Sequence, residues 1–419
     1  MNPKQNRILL LTTTRSYRAA AFLTAAEKLN IEVVQGVHMP DALATTWSDG
    51  FSLNFNQSEA AVSTIVAYAA GHPLQAIIAV DDSGSLLAAR ASAALNLPHN
   101  SEAAARAARD KYHMRRLLAA APTVLSPPSR RYEAGTDPAQ IALDTDFPCV
   151  VKPLQLNGSR GVIRADDAVE LRAAIARTTM LIRNVQGDDQ PSPFLVESYI
   201  PGIEVALEGL LRQGQLQVLA LFDKPDPLEG PYFEETIYVT PSRLTAATQD
   251  AIKTAAAAAA EALGLQTGPI HAEMRINEQG VWIVEIAGRS IGGLCSRTLQ
   301  FGAGGSLEEL ILRQACGLPL LDSRQGVEAR GVMMIPIPDA GLLRRVNGLE
   351  EARALPLIEE IEITAKRNYN LVPLPDGDGY LGFIFARGAD PLTVEEALRQ
   401  AHSKLAFKID PVIPLRQVS

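Results

Sequence analysis

The sequence predicts a multidomain chain that combines α/β and α+β units, and three observations support this fold class. The chain has 419 residues, of which 47% are hydrophobic, so it can bury more core than a single domain usually holds. Short apolar runs alternate with helix-length amphipathic stretches over the first hundred residues. Strand-like runs then dominate residues 194–286, and helix and strand patterns mix again beyond residue 325.

The N-terminal unit, residues 1–105, is predicted to contain a parallel sheet. Its strands are expected at Ile8–Thr12, Ile31–Val34 and Ile77–Val80, with helices between them. The first strand leads into Thr-Thr-Thr-Arg-Ser-Tyr rather than GxGxxG, which disfavours a dinucleotide cofactor. The third strand ends in Asp81-Asp82-Ser83-Gly84, which is either a ligand-facing edge or a helix cap with a turn.

The rest of the chain is predicted to form three further units. A small unit has strands at 147–152 and 161–164 that flank a loop at 155–160. A helix near 246–263, closed by Gly264, interrupts the later strands. The predicted boundaries are 106–195 for a linker helix and the small lid, 196–324 for a central antiparallel-sheet domain, and 325–419 for a C-terminal α+β unit.

Charge and cysteine content exclude several classes of protein. The formal net charge is −8 and basic residues form no concentrated block, which argues against nucleic acid as a partner. Cys149, Cys295 and Cys316 lack metal-site spacing and suit a reducing compartment. The apolar run Ile8–Leu11 is too short for a signal peptide, and no run reaches membrane-spanning length. We therefore expect a cytoplasmic protein that binds neither nucleic acid nor membrane.

The most informative stretch is a predicted hairpin at 269–289. Gly280 favours a three-residue turn that pairs Asn277 with Val281, and this register sets Glu273 opposite Glu285. Two opposed carboxylates repel unless a positive charge lies near them, and Mg²⁺ bound together with substrate phosphate oxygens would supply it. The alternative is that both carboxylates are solvated or paired with arginines. The arginines in question are Arg275 and Arg289, while Ala272, Met274, Ile276, Trp282, Val284 and Ile286 are predicted to form the core face.

Two other segments have the chemistry of a nucleotide site. Lys152 ends a predicted strand and leads into a loop with Gly158 and Ser159, where backbone amides and an ammonium group can approach phosphate oxygens. An exposed flexible hairpin is the alternative. The strand after Phe194 runs into Pro201-Gly202, whose free backbone groups can pair with an adenine edge while Glu204 bonds a ribose. An ordinary strand-turn-strand is the alternative there.

Taken in order, these segments together with Lys111 resemble the ATP-grasp superfamily, in particular its carboxylate–amine ligase branch, which includes the L-amino acid (dipeptide) ligases. The resemblance covers essentially the whole chain, including Gly379–Gly388, which is similar to the branch's closing domain. It implies an ATP-grasp fold, ATP as a substrate, and Mg²⁺, or Mn²⁺ in its place. It also implies contacts of Lys111 and Lys152 with ATP phosphates, of Glu197, Tyr199 and Ile200 with adenine, of Glu204 with ribose, of Glu273 and Glu285 with two Mg²⁺ ions, and of Arg289 with the transferred phosphoryl group.

The resemblance has one departure and leaves the substrates open. Many ATP-grasp enzymes have an Asn two residues after the second metal-binding Glu, and here Ala287 stands there. The loop at 224–236 resembles a substrate segment of the ligase branch, so Glu235 is expected to receive an amino group and His271 to accept its proton. A hydrogen-bonded structural role is the alternative for His271. The expected function is amide-bond formation between a carboxylate and an amine, with amino acids as substrates, by a protein that can form a homodimer.

Two alternatives to this function remain at the level of sequence. A regulatory ATP-binding module would keep the nucleotide contacts without turnover, although Arg289 and the ionic face of the hairpin argue against it. A ligase acting on a carboxylate other than an amino acid, in specialised metabolism, would share the whole motif set.

Overall fold

The computed structural model describes residues 6–14, 16, 18–39, 51–187, 192–322, 326 and 328–411. Its N-terminal unit is the predicted parallel sheet, with strand order β3-β2-β1-β4. The sheet has one more strand than the sequence predicted, at its edge. The elements are β1 (Arg7–Thr13), α1 (Ala19–Lys28), β2 (Glu32–His38), β3 (Phe51–Leu53), α2 (Ser58–Gly71), β4 (Ala76–Ala79) and α3 (Asp82–Ala94).

Two short helices connect this unit to a small antiparallel sheet, which we call the lid. The lid sheet has the order β5-β8-β6-β7 and extends to Ser198, three residues beyond the predicted boundary at 195. The second connecting helix begins at Lys111, where the Asp110 side chain accepts hydrogen bonds from the first free backbone amides. The elements are α4 (Glu102–Arg109), α5 (Lys111–Ala120), β5 (Ser129–Tyr132), α6 (Pro138–Leu143), β6 (Cys149–Pro153), β7 (Ile163–Ala165), α7 (Ala168–Gln186) and β8 (Phe194–Ser198).

The centre of the molecule is an eight-stranded antiparallel sheet with the order β13-β12-β9-β10-β11-β14-β18-β16. Three strands of the predicted C-terminal unit, β14, β16 and β18, continue this sheet. Helix α8 packs on one face, and its alanines bury against the hairpin strands. The elements up to residue 315 are β9 (Ile203–Arg212), β10 (Gln215–Asp223), β11 (Ile237–Thr240), α8 (Ala246–Ala262), β12 (Gly268–Asn277), β13 (Gly280–Ala287), a short 3₁₀ turn (Cys295–Thr298) and α9 (Leu307–Ala315).

The C-terminal region completes the central sheet and adds a three-stranded sheet of order β17-β15-β19. Helix α11 covers β14 and β18. Within the described residues, no helix combines the length and apolar character needed to cross a membrane. The elements are β14 (Ala329–Ile335), β15 (Gly341–Asn347), α10 (Leu349–Arg353), β16 (Ile358–Ile363), β17 (Asn370–Leu371), β18 (Gly382–Gly388), α11 (Pro391–Lys404) and β19 (Ala406–Asp410).

The turn of the β12–β13 hairpin differs from the prediction. Asn277 pairs with Gly280 rather than with Val281, so the turn has two residues and the three-residue turn was wrong. Gly280 has a φ of +132°, a conformation that side chains disfavour. Trp282, predicted on the core face, instead donates from its ring nitrogen to the Asn277 side chain at 3.1 Å.

Farther along the hairpin, a β-bulge shifts the pairing of β12 with β13 by one residue. The pairing partner moves from Ile283 to Glu285 between consecutive residues of β12, which leaves Val284 as the extra residue. As a result Glu273 does lie opposite Glu285, as predicted, although by a different route. The bulge also changes which side chains are buried: Ile283 enters the core beside Ile286, which is buried as predicted, whereas Val284, predicted on the core face, lines a cavity.

Candidate active site

A cavity of about 570 Å³ lies between the N-terminal unit, the lid and the central sheet. Its wall contains every residue that the sequence predicted to bind ATP or metal or to act on the substrates, although these come from widely separated segments. The two lysines, the glycine loop, the hinge segment and the hairpin face therefore meet in one space. The predicted residues that line it are Lys111, Lys152, Gly158, Ser159, Glu197, Tyr199, Ile200, Glu204, Glu235, His271, Glu273, Glu285 and Arg289.

The predicted phosphate-binding end is built by the first turn of α5 and the loop between β6 and β7. Lys111 Nζ is buried and lies 3.0 Å from the Leu156 carbonyl oxygen and 3.3 Å from Glu285 Oε1. Gly158 and Ser159 have φ values of +63° and +54°, which turn the loop tightly over the cavity. An ammonium group beside a tight glycine loop fits a nucleotide phosphate chain.

Glu197 is paired with two cations inside the lid. Its carboxylate accepts hydrogen bonds from Arg115 Nε at 2.9 Å and Nη2 at 3.3 Å, and it also contacts Lys152 Nζ. Burial favours the neutral acid, but Arg115 and Lys152 outweigh burial and lower the pKa of Glu197. The carboxylate thus fixes the Lys152 ammonium group at the cavity, and its contact with adenine stays a prediction. Arg115 was missed, although it lies four residues after Lys111 on the same helix face.

The predicted adenine and ribose end is organised by Arg275. Its guanidinium group donates to the Ile200 carbonyl oxygen at 2.8 Å and to Glu204 Oε2 at 2.8 Å. It also lies 5.0 Å from the centre of the Tyr199 ring, while Arg164 from the lid lies 4.2 Å from the same ring. Arg275 therefore holds the hinge segment against the hairpin. The sequence had offered Arg275 as a partner of the hairpin glutamates.

Each hairpin glutamate has its own protein cation in this structure. Glu273 Oε1 lies 3.4 Å from His271 Nε2 and 3.7 Å from Lys224 Nζ, and Glu285 pairs with Lys111. Burial opposes ionisation of Glu273, but Lys224 and His271 hold its pKa well below the usual range. Both carboxylates face the cavity and form a donor set that suits Mg²⁺. Ala287 lies in the cavity wall and offers no metal ligand.

The surroundings of His271 do not favour its predicted role as a proton acceptor. Burial would favour the neutral ring, but Glu208 and Glu273 outweigh burial and raise the pKa of His271 to about 9. The ring nitrogen Nδ1 contacts the buried Glu208 carboxylate, and Nε2 faces Glu273. At neutral pH this ring already carries the proton that it was expected to accept. These contacts favour the structural role that the sequence left open, and the role of His271 in proton transfer stays a prediction.

Arg289 is held by a residue of the N-terminal unit. Its Nε donates to Asp82 Oδ2 at 2.8 Å, and Asn157 from the glycine loop donates to the same oxygen at 3.1 Å. Burial disfavours the charge of Asp82, but Arg289 outweighs burial and lowers the pKa of that carboxyl. Asp82 thus begins helix α3 and also faces the cavity. The N-cap residue, Asp81, makes no side-chain capping hydrogen bond, and ligand binding at this turn stays a prediction.

Glu235 lies at the end of the cavity assigned to the amine. It accepts a hydrogen bond from the Tyr238 hydroxyl at 2.7 Å and contacts Lys224 Nζ. Burial, opposed by Lys224 and assisted by the charge of Glu273, raises the pKa of Glu235. Lys224 and Tyr238 were not predicted as site residues. The sequence signal for Lys224 was its position at the start of the Pro- and Gly-rich loop, directly after a strand.

Comparison with known families defines the class of protein. Residues 145–298 match the family model of the ATP-grasp domain, and residues 333–410 match that of the L-amino acid ligase C-terminal domain 2. The chain therefore contains an ATP-grasp domain followed by this ligase-type C-terminal domain, and the predicted ATP-grasp fold is confirmed.

Solved structures of other proteins give a second comparison. The structure is similar to that of an L-amino acid ligase from Bacillus licheniformis, with a TM-score of 0.82, 24% identity, and coverage of 97% of this chain and 100% of that chain. It is also similar to carboxyaminoimidazole ribonucleotide synthase from Aspergillus clavatus complexed with ATP, with a TM-score of 0.71, 16% identity, and coverage of 96% and 99%. Both matches show that the folds are similar.

Among curated proteins, an uncharacterised protein of Sinorhizobium fredii is 24% identical over 309 residues, which are 72% of this chain and 61% of that protein. The alanine–anticapsin ligase of Bacillus subtilis is 27% identical over 231 residues, which are 51% of this chain and 48% of the ligase. The aligned regions thus span about half to three fifths of these relatives' own lengths.

Proposed function

We propose that this protein is an ATP-dependent carboxylate–amine ligase that forms an amide bond and releases ADP and phosphate. One observation carries the proposal. The lysines of the predicted phosphate end, the opposed glutamates, Arg289 and Glu235 line a single cavity. The similarity to L-amino acid ligases and the ligase-type C-terminal domain support amino acids as substrates and a dipeptide as product.

The reaction would proceed through an acyl phosphate. The substrate carboxylate attacks the γ-phosphorus of ATP, ADP leaves, and an amine then attacks the acyl carbon and expels phosphate. Lys111, Lys152 and Arg289 would hold the phosphate oxygens and neutralise their charge. Mg²⁺ bound by Glu273 and Glu285 would stabilise charge on the transferred phosphoryl group.

The amine would enter beside Glu235. An amino acid arrives as an ammonium cation, and the carboxylate of Glu235 can bind it and orient it toward the acyl carbon. Because His271 is already protonated, the proton of the amine must be accepted by another group, and Glu235 has the raised pKa that suits proton acceptance.

The test is an ADP-release screen across pairs of amino acids in the presence of Mg²⁺, with mass detection of the condensed product. We expect ADP and phosphate in amounts equal to the amide formed. Stoichiometric AMP and pyrophosphate would contradict the acyl-phosphate route. ATP binding without ADP release for any amine would favour the regulatory module, and turnover limited to carboxylates that lack an amino group would favour the specialised-metabolism ligase.

We also propose that Mn²⁺ can replace Mg²⁺, that the protein acts in the cytoplasm, and that it forms a homodimer. The oxygen-rich donor set of the hairpin supports exchange of these two metals. Light scattering coupled to size-exclusion chromatography measures the assembly, and a monomer mass at micromolar concentration would contradict the dimer.

A further inference from the structure

Lys224 lies behind the cavity, among three carboxylates that we call the trio: Glu204, Glu235 and Glu273. It directly follows β10, and its side chain is 2% exposed. Its Nζ lies 2.9 Å from Glu204 Oε1 and 3.7 Å from Glu273 Oε1, and it also contacts Glu235. The trio lines the cavity, whereas Lys224 is not among the described residues that do. Its ammonium group is therefore a buried partner of the trio rather than a contact for substrate.

The trio by itself has the spacing of a cation site. One oxygen from each carboxylate lies within 4.8 Å of the other two. Carboxylates at this spacing in a buried position repel one another when they are ionised, and a positive charge among them relieves this repulsion. Arg275 pairs with Glu204 and His271 with Glu273, but among the ion pairs of the described residues those of Lys224 join all three.

The ammonium group is well suited to this place. It is a compact point charge, and the Tyr238 ring lies 5.1 Å from it. The three carboxylates come from β9, from the loop before β11 and from β12, so the ion pairs of Lys224 tie together three separate segments. In the proposed reaction these segments serve the ribose, the amine and the metal.

We propose that Lys224 is a positioning residue whose ammonium group occupies the centre of the trio, sets the spacing between the metal end and the amine end, and keeps a divalent cation out of the trio. Metal is thereby confined to the side of Glu273 that faces Glu285. The part of this inference that concerns the amine rests on the proposed ligase function. The part that concerns the trio does not, because it depends on charge and geometry alone.

The test compares metal binding by the wild type, Lys224→Gln and Lys224→Arg without nucleotide, with Mn²⁺ as the probe and electron paramagnetic resonance as the readout. Lys253→Gln, on the exposed face of α8, is the matched control. We expect Lys224→Gln to bind one more Mn²⁺ ion than the wild type. Its affinity for this additional ion should be roughly tenfold higher than the affinity of the nucleotide-free wild type for any Mn²⁺. Lys224→Arg keeps the charge and should exclude the additional ion, and Lys224→Gln with Glu235→Gln should lose it.

Two further readouts keep the inference open to refutation. If Lys224→Gln is poorly folded without metal, Mn²⁺ should raise its thermal stability, and should raise it more than that of the wild type. Unchanged Mn²⁺ binding together with no gain in stability would overturn the inference, as would an additional ion in Lys224→Arg. In turnover assays the KM for the amine should rise several-fold in Lys224→Gln and recover in Lys224→Arg. A wild type that never releases ADP would refute the proposed function, while the Mn²⁺ result would still decide the role of Lys224 in the trio.

Discussion

The lid and the central hairpin both contribute charged groups to the cavity, but they are held in place differently. The hairpin strands bury Met274, Ile283 and Ile286 in the same core as helix α8. The lid has a separate small core, and its described contacts with the loops around it include many hydrogen bonds and ion pairs. Breaking apolar burial costs more than exchanging polar contacts with water. The comparison indicates that the opposed glutamates are on a rigid platform and the phosphate-binding loop on a part that can move.

The largest effect is expected for a change in the hairpin that carries the opposed glutamates. Changing Glu285 to Gln keeps the shape of the side chain but removes a charge from the opposed pair, so a metal ligand is weakened. Turnover should fall by about 10²-fold or more, since metal charge stabilisation is worth several kcal/mol at such a centre. ADP formation measured against Mg²⁺ concentration checks this.

The same variant tests how the charge of Glu285 affects the free energy of unfolding. Glu285→Gln relieves repulsion from Glu273 but loses the ion pair with Lys111, so the free energy of unfolding without metal should change by no more than about 1 kcal/mol. Glu278→Gln in the exposed turn is the control and should leave turnover unchanged. Normal turnover of Glu285→Gln would end its assignment as a metal ligand.

A smaller effect is expected for Asp82, the residue of the N-terminal unit that holds Arg289. Asp82→Asn removes the charge that holds Arg289 and weakens the hydrogen bond from Asn157. Because a charged hydrogen bond contributes about 1.5–3 kcal/mol and part of it remains with the amide, kcat should fall roughly tenfold. The KM for ATP should change less than kcat. A variant with unchanged kcat would show that Arg289 is positioned without Asp82, and Asp250→Asn on helix α8 is the control.

The smallest effect is expected at the attachment of the lid. Asp376 pairs with Arg177 of α7, and its backbone carbonyl oxygen accepts from Arg160 at 2.7 Å. Asp376→Asn should weaken this attachment by about 0.2–1 kcal/mol, so the KM for ATP should change by no more than about fivefold. Asp144→Asn, which removes another exposed lid ion pair, with Arg130, is the control.

Hydrogen exchange gives a direct view of the same difference. Nucleotide with Mg²⁺ should slow exchange in residues 154–162 more than in strands β9 and β12, because the glycine loop closes over the phosphates. Asp376→Asn should speed exchange in that loop without nucleotide. Equal protection of the loop with and without nucleotide would contradict a mobile lid.

The sequence by itself determined most of the fold, and the residues that it predicted for the site line one cavity in the structure. Periodic apolar runs predicted the parallel sheet and the hairpin, because strands and helices bury side chains with different periods. The lysines, the glycine loop and the glutamates could be found because their chemistry is local to a short motif. The C-terminal strands were also found, but their addition to the central sheet was not, since pairing between distant strands leaves no local signal.

The tertiary structure decided which charged side chains form ion pairs with each other. A bulge at Val284 set the hairpin register, and it depends on packing that a count along the chain does not contain. Arg115 joins the site through Glu197, which is 82 residues away, and Asp82 joins it through Arg289, which is 207 residues away. Lys224 is nearer in sequence to two of its partners, since Glu204 is 20 residues away and Glu235 is 11. His271 changed from an expected base to a cation because Glu208, on the neighbouring strand β9, faces it. The residue types indicated a nucleotide site, but the protonation state of each group depends on burial and on neighbours that only the folded chain supplies.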